Sequence, residues 1–372
     1  MLHPPFPSLE AMLSAAAMSA LEGRTVARVA SQPWTPPSRI PPWSRSQFVQ
    51  VETTTADGDT RRYIVKRIAP RRDLIMRLTG DQVCRERLVW QHGMLDELPP
   101  EVWSPVVASA VDGAGWALLM HDVADSLLTI TQVHDGRRVP LEPSLAHFAI
   151  GAMAAFHARF WESPLLGDPA LGLCSTSQLY MALTPATARH VASGGEPYVL
   201  QICEGWTHLE RLVPGALARA IRDLQRDPRP LCDALARYPQ TLVHADARAD
   251  NLALRRGAHP HLVLLDWQWV GAHPPAIDLL WFLNGSLPLL PLTREAAIEH
   301  YRAELARRLG PRFDAAWWQP QLELTMLGQL VRSGWWLLST LTAQDAPPTL
   351  QHEARTTLDW LCDHAPRGLQ CL

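Results

Sequence analysis

"QTLVHADARADNLALRRGAHPHLVLLDWQWVG", residues 240–271, is a strand-rich island within helical patterning. Two short apolar runs, "NLAL" (251–254) and "HLVLLD" (261–266), flank the turn "RRGAHP" (255–260). That pattern predicts an antiparallel hairpin. Pairing the two runs puts Asn251 and Asp266 at the same end of it. A carboxylate and an amide oxygen are both hard ligands. Together they suit Mg²⁺, which takes a few protein oxygens and leaves the remaining positions to waters and phosphates. Asp246, in the loop just before, faces the same space. A carboxylate beside a metal-bound phosphate can accept the proton of an attacking hydroxyl.

Outward from the island the chain divides in character. "SQFVQVETTT" (46–55), the D-G turn "ADGD" and "TRRYIVKRI" (60–68) predict a hairpin. "RLTGDQVCRERLVWQHGMLDEL" (77–98) has helical spacing, and "PPEVWSPVVASAVDGAGWALLMHDV" (99–123) reads as two further strands. The proline-dense "PWTPPSRIPPW" (33–43) excludes a helix or a central strand. Beyond residue 122 helices dominate. "EPSLAHFAIGAMAAFHARFWESP" (142–164) sets Leu145, Phe148, Ala149, Ala152, Phe156 and Phe160 on one face. Strands first and helices after, with a β island inside the helical half, predict an α+β chain of two lobes. The small, mostly antiparallel β N-lobe covers 1–121; the larger, mainly helical C-lobe covers 122–372.

Composition excludes several classes of function. The 372 residues are 47% hydrophobic with a formal charge of −3 and a pI near 6.6. This leaves no basic field for nucleic acid and no polybasic membrane patch. The six cysteines show no CxxC pair or metal-ligand spacing and read as buried thiols of a reducing compartment. The opening "MLHPPFPSLEAMLSAAAMSALEG" has no basic segment before its apolar run and carries Glu10 within it, so it reads as a helix packed on the first lobe rather than a signal peptide. The longest uncharged apolar stretch, 279–292, is broken by two prolines and is short for a membrane span. A cytoplasmic protein is expected. Oligomeric state is not legible.

Lys66, in "YIVKRI", is the only lysine among 34 basic residues. Arginine serves wherever a planar fork or plain solubility is wanted, whereas lysine is a compact point charge on a slim stem. Its position on a predicted strand therefore invites a specific role.

His244, Asp246 and Asn251 form H-x-D-x-x-x-x-N, followed by a strand ending in Asp266. Together they resemble the catalytic and metal-binding loops of the kinase fold. The tryptophan after Asp266, the proline-containing loop to Asp278-Leu279 and the "FHARFW" helix resemble the aminoglycoside phosphotransferase and choline kinase-like family. The resemblance covers about residues 24–340 and implies a bilobal, protein-kinase-like fold. It also implies a small-molecule kinase using Mg²⁺ and ATP, with GTP left open. Lys66 would touch the α- and β-phosphates, held by Glu86. Met120, His121 and Asp122 of the hinge "LLMHD" would meet the base through backbone groups. Asn251 and Asp266 would hold Mg²⁺, and Asp246 would take the acceptor's proton. His244, Arg248 and Asp278 would support the loop.

Three features depart from that family. The phosphate-covering loop, expected at roughly 28–48, contains no glycine, Ala245 stands where glycine is common, and Gln268 stands where an acidic residue often follows D-W. The first keeps a nucleotide-binding pseudokinase without turnover as the competing reading. The acceptor is open among an antibiotic, a sugar, a nucleoside and an amino alcohol. A protein acceptor is disfavoured because only a dozen residues separate Asp266 from Asp278. From 150 to 372 there are twenty-one acidic residues and nineteen arginines, so no strong anionic field marks a polycation site. His259 and His261 read as a solvated turn and His157 as a core histidine. The pairs Trp317-Trp318 and Trp335-Trp336 read as helix packing ahead of an aromatic acceptor pocket.

Overall fold

Tyr63, Ile64, Val65 and Lys66 are all buried, so the strand that carries the lysine is covered on both faces. In the computed structural model, which describes residues 2–35, 46–134, 137–192 and 196–372, this strand is the centre of the first sheet. β1 (Arg28–Trp34), β2 (Gln47–Thr54), β3 (Thr60–Ile68), β5 (Val106–Asp112) and β6 (Gly115–His121) pair antiparallel in the order β1-β2-β3-β6-β5. Phe48 and Leu118 stand opposite Lys66 on its two neighbours. Alternation along β3 puts Ile64 and Lys66 on one face, and both line the cleft together with Phe48. Pro33 sits in β1, an edge strand, where a missing N–H is tolerated.

The stretch expected to cover the phosphates, roughly 28–48, begins in β1 and ends in β2. β1 and β2 occupy much of 28–48, leaving 35–46 as the connection. Residues 36–45 of it lie outside the described residues.

The predicted single helix over 77–98 is instead two helices, Leu74–Thr79 and Arg85–Gln91. Gly80, at φ 66°, ends the first. Asp81 then accepts from the backbone N–H groups of Val83 and Arg85 and opens the second. The N-terminal helix is likewise split, into Leu9–Met12 and Ala15–Glu22, because Ser14 caps a new start.

A second departure concerns β4 (Val102–Trp103). It leaves the first sheet and pairs parallel with β11 (His261–Leu264), which pairs antiparallel with β10 (Leu252–Arg255). The catalytic hairpin is therefore stitched to the segment preceding the hinge. Two further pairs complete the strands: β7 (Val133–His134) with β8 (Arg137–Arg138), and β9 (Thr241–Val243) with β12 (Gly271–His273).

Around these strands pack the helices Pro143–Arg159, Pro197–Thr207, Ala276–Ser286, Arg294–Leu309, Ala315–Thr342 and Pro348–Leu369. Among the described residues no helix is long and apolar enough to cross a membrane. The 28-residue helix Ala315–Thr342 forms the spine of the helical half. Helix Pro197–Thr207 crosses it at Gly205, where an added Cβ would come within 2.2 Å of the Trp335 carbonyl oxygen. Backbone on the far side leaves no flexible group to yield. Gly205→Ala is expected to cost about 1–3 kcal/mol by overpacking, read as a lowered midpoint in chemical unfolding.

Candidate active site

The D-W strand end and the lysine strand meet across the cleft. Lys66 Nζ lies 2.7 Å from Glu86 Oε2 and 2.8 Å from Asp266 Oδ1. Glu86 also accepts from the Trp267 N–H through Oε1, at 3.3 Å. One ammonium and one carboxylate thus join β3, the helix Arg85–Gln91 and the end of the hairpin. Burial alone would pull the Lys66 ammonium down, but Asp266 and Glu86 overturn that and hold it above its ordinary value. Burial pushes Glu86 up, to about 7, against the pull of Lys66. For Asp266, burial is outweighed by Lys66 and the carboxyl is held below its usual range.

The loop between β9 and β10 is fixed from beneath. Asp278 accepts the backbone N–H groups of His244 at 2.7 Å and Ala245 at 2.6 Å. It also meets His157 Nε2 at 3.1 Å, while His157 Nδ1 lies 2.5 Å from the Tyr301 hydroxyl. Those bonds hold Ala245 at φ 61°, in the left-handed region, which is the conformational reason a glycine suits this place. His244 is buried, and burial draws its imidazole below the ordinary value. Its Nε2 bonds the Leu265 carbonyl at 2.9 Å and its Nδ1 accepts from the Asp246 N–H at 3.2 Å. The ring is a neutral brace between the two loops.

Asp246 is gripped from three sides. Asn251 Nδ2 donates to its Oδ2 at 2.7 Å and to its carbonyl oxygen at 3.0 Å. Trp281 Nε1 donates to Oδ1 at 2.8 Å. Arg248 Nε lies 3.3 Å from Oδ1 while its Nη1 pairs with Asp250 at 2.8 Å. Both amide protons of Asn251 are thereby used, so its oxygen Oδ1 is the group left for the cleft. That oxygen and the Asp266 carboxylate are two hard donors. Among the described residues no cluster of three or more His, Cys, Asp or Glu could hold a metal by itself. A donor pair of this kind fits Mg²⁺ sharing its shell with phosphates and waters, and does not fit a structural zinc.

Lys66, Met120, His121, Asp122, Asp246, Arg248, Asn251 and Asp266 all border one cavity of about 1080 Å³. Glu86, His244 and Asp278 stand behind it. His259 lies exposed in the far hairpin turn and His157 is a core histidine, as expected, whereas His261 is the half-buried first residue of β11, paired with Arg255, rather than part of the turn. The tryptophans divide. Trp317 and Trp318 pack against Trp161, Phe313 and Tyr301; Trp335 is also a helix-packing residue, buried against Tyr198, but both it and the more exposed Trp336 border the cavity as well. Sequence reasoning also missed Trp281 and Arg332. Trp281 stands three residues after Asp278, so its bond to Asp246 had a helical-spacing signal; Arg332 is more than sixty residues from the hairpin and had none.

An α+β chain with a nucleotide-sized cleft between sheet and helices, lined by this lysine, aspartate and asparagine, defines a small-molecule kinase of protein-kinase-like fold. The chain belongs to the phosphotransferase enzyme family, whose pattern matches residues 41–317. A search of curated proteins gave no match. Among solved structures it is similar to an ethanolamine kinase from Plasmodium vivax (15% identity, TM-score 0.48, covering 92% of this chain and 85% of that one). It is also similar to the aminoglycoside phosphotransferase APH(3'')-Id from Streptomyces rimosus (15%, 0.43, 86% and 96%) and a choline kinase from Cryptosporidium parvum (8%, 0.49, 92% and 90%).

Behind the loop, on β12, His273 is fully buried, and burial together with the charge of Arg332 brings its imidazole down to about 3. Below pH 6.5 the unfolded chain binds a proton here that the folded chain does not, so stability falls as pH drops through the window from 6.5 toward 3. His273→Gln should flatten that part of the curve, as measured by melting temperature from pH 4 to 7.

Proposed function

We propose that this protein transfers the γ-phosphoryl group of a magnesium nucleotide to a hydroxyl of a small acceptor. The observation that carries the reading is the convergence of Lys66, Asp246, Asn251 and Asp266 on one cavity. Lys66, fixed by Glu86, holds the α- and β-phosphates. Asn251 Oδ1 and Asp266 hold Mg²⁺, which when bound neutralises charge on the transferred group. Asp246 orients the acceptor hydroxyl and takes its proton as the new O–P bond forms and the bond to the β-phosphate oxygen breaks. No covalent enzyme intermediate is required, so catalysis is positioning and charge stabilisation.

The hinge favours a base held through its backbone. The N–H of His121 donates to Pro105 O at 2.9 Å and that of Asp122 to Arg62 O at 3.2 Å. Pro105 has no N–H to return, which leaves the His121 carbonyl open to accept from an exocyclic amine. ATP fits this arrangement, and GTP is the alternative to test beside it. The division into a nucleotide-binding lobe, 1–121, and an acceptor-binding lobe, 122–372, follows the same reading. The acceptor is an antibiotic or a hydroxylated metabolite, and the protein works in the cytoplasm. The glycine-free connection after β1 favours the second reading, a nucleotide-binding pseudokinase.

The test is ADP release with Mg-ATP and Mg-GTP against pooled hydroxylated compounds. Acceptor-dependent release should fall about 10²-fold or more in Asp246→Asn. Lys66→Arg should keep the fold and lose most turnover, since a planar fork replaces a point charge. Nucleotide binding with no acceptor-stimulated release in any pool would sink the transferase reading in favour of the pseudokinase.

A further inference from the structure

The acceptor end of the cavity is out of electrostatic balance. Five carboxylates border the cavity, and each has a cation. Asp266 has Lys66, Asp246 and Asp250 share Arg248, Glu353 has Arg138 at 3.1 Å, and Asp122 has Arg62 at 3.9 Å. Two arginines on the same wall, Arg294 and Arg332, form no ion pair among the described residues.

Arg332 is the sharper case. It is 1% exposed, yet Nε, Nη1 and Nη2 all lack a hydrogen-bond partner among the described residues. Its guanidinium stacks 3.9 Å above the Trp281 ring and 4.6 Å from the Trp269 ring. Stacking holds the plane of the fork but satisfies none of its in-plane donors. Burial lowers its proton affinity. Gln329, Arg332, Ser333 and Trp336 follow the i, i+3, i+4, i+7 rhythm of one helix face, and all four border the cavity.

Arg294 repeats the imbalance nearer the rim. It opens helix Arg294–Leu309, where the helix dipole favours an anion. Its Nη2 donates to Thr357 at 2.5 Å, and its Nε has no partner. Other orphaned groups on the wall are Trp335 Nε1 and Asn284 Nδ2, both donors, with Asn284 Oδ1 the one acceptor, among the described residues.

We infer that the acceptor carries a carboxylate, and that Arg332 is the residue that binds it. The inference rests on reading this end of the cavity as the acceptor site. A planar fork matches a carboxylate through two parallel N–H bonds, and a buried guanidinium with no anion is strongly unfavourable until one arrives. Trp281 carries the consequence to the reacting end, because the ring beneath Arg332 is the one whose N–H holds Asp246. An acceptor anchored there by its anion has its hydroxyl set beside the proton acceptor. Polycations and quaternary amines are disfavoured, since every carboxylate on the wall is already taken.

Three probes of one shape and different charge test this on the intact protein: phenylacetate, phenethyl alcohol and phenethylamine, by titration calorimetry. Phenylacetate should bind about tenfold or more tighter than either of the others, because a like charge facing an unpaired guanidinium is repelled. The preference should vanish in Arg332→Gln and in Arg332→Met, checked for folding by circular dichroism. Equal binding of the three, no binding of phenylacetate, or tighter binding of the amine by the wild-type protein overturns the inference with no variant needed. Retention of the anion preference in a folded Arg332→Met overturns the role of Arg332. These measurements require no turnover, so their failure is separate from a failure of Asp246-dependent ADP release, which would overturn the kinase reading alone.

Discussion

One ammonium group, Lys66 Nζ, sits between Glu86 and Asp266 at 2.7 and 2.8 Å, and three otherwise independent pieces of chain meet on it. Removing it would leave the buried Glu86 carboxylate unpaired and facing a second carboxylate, a cost of several kcal/mol for a buried unpaired ion. The sheet must therefore present β3 with Lys66 toward the cleft, the short helix must start where Glu86 can reach it, and the hairpin must end at the same spot. Gly80 and Asp81 break the helix where they do, and that break sets the reach of Glu86. The cluster still carries more acid than base, which is why burial succeeds in raising Glu86 while Asp266 stays low.

A second anchor works by hydrogen bonds rather than charge pairing. Asp278 holds the His244 and Ala245 amides, and through them a residue in the left-handed region that has no glycine to ease it. Asp266 is in the same region, at φ 65°. Strain of this kind persists only where surrounding bonds over-determine the backbone, and here both strained residues lie beside the acid that faces the cleft. The core histidine His157, between Asp278 and Tyr301, ties this anchor to helices Pro143–Arg159 and Arg294–Leu309.

Much of this was legible in the residues. A turn flanked by two apolar runs fixes a hairpin because side-chain alternation and loop length leave few registers, so Asn251 and Asp266 fall together. The D-G turn between β2 and β3 did the same for Lys66. What escaped was set by contacts remote in the chain. The pairing of Val102–Trp103 with β11 bridges more than 150 residues, and no local pattern marks a two-residue parallel strand. That Trp335 and Trp336 also border the cavity escaped because a tryptophan pair on an apolar helix looks the same whether a neighbouring helix or a cavity faces it. The helix at 77–98 was misjudged as continuous because its apolar spacing persists through Gly80, and only the cap geometry shows the break.

The cavity has a direction. Around the hairpin four carboxylates, Glu86, Asp246, Asp250 and Asp266, share two cations, Lys66 and Arg248, an environment that calls for a metal and a phosphate chain. On the cavity wall Arg294 and Arg332 form no ion pair among the described residues and lie instead over indole rings, Arg294 over Trp360 and Arg332 over Trp281 and Trp269. Arg332 is buried with all three guanidinium nitrogens unpartnered among the described residues, and breaks of this kind in an otherwise packed interior belong to function more often than to the fold. The two imbalances are of opposite sign and are joined through Trp281, which touches both. A ligand that carries its negative charge at one end and a hydroxyl at the other corrects the second imbalance while presenting the hydroxyl to the first. An acceptor of opposite polarity would find the cation where its own charge should go, and its hydroxyl turned away from Asp246.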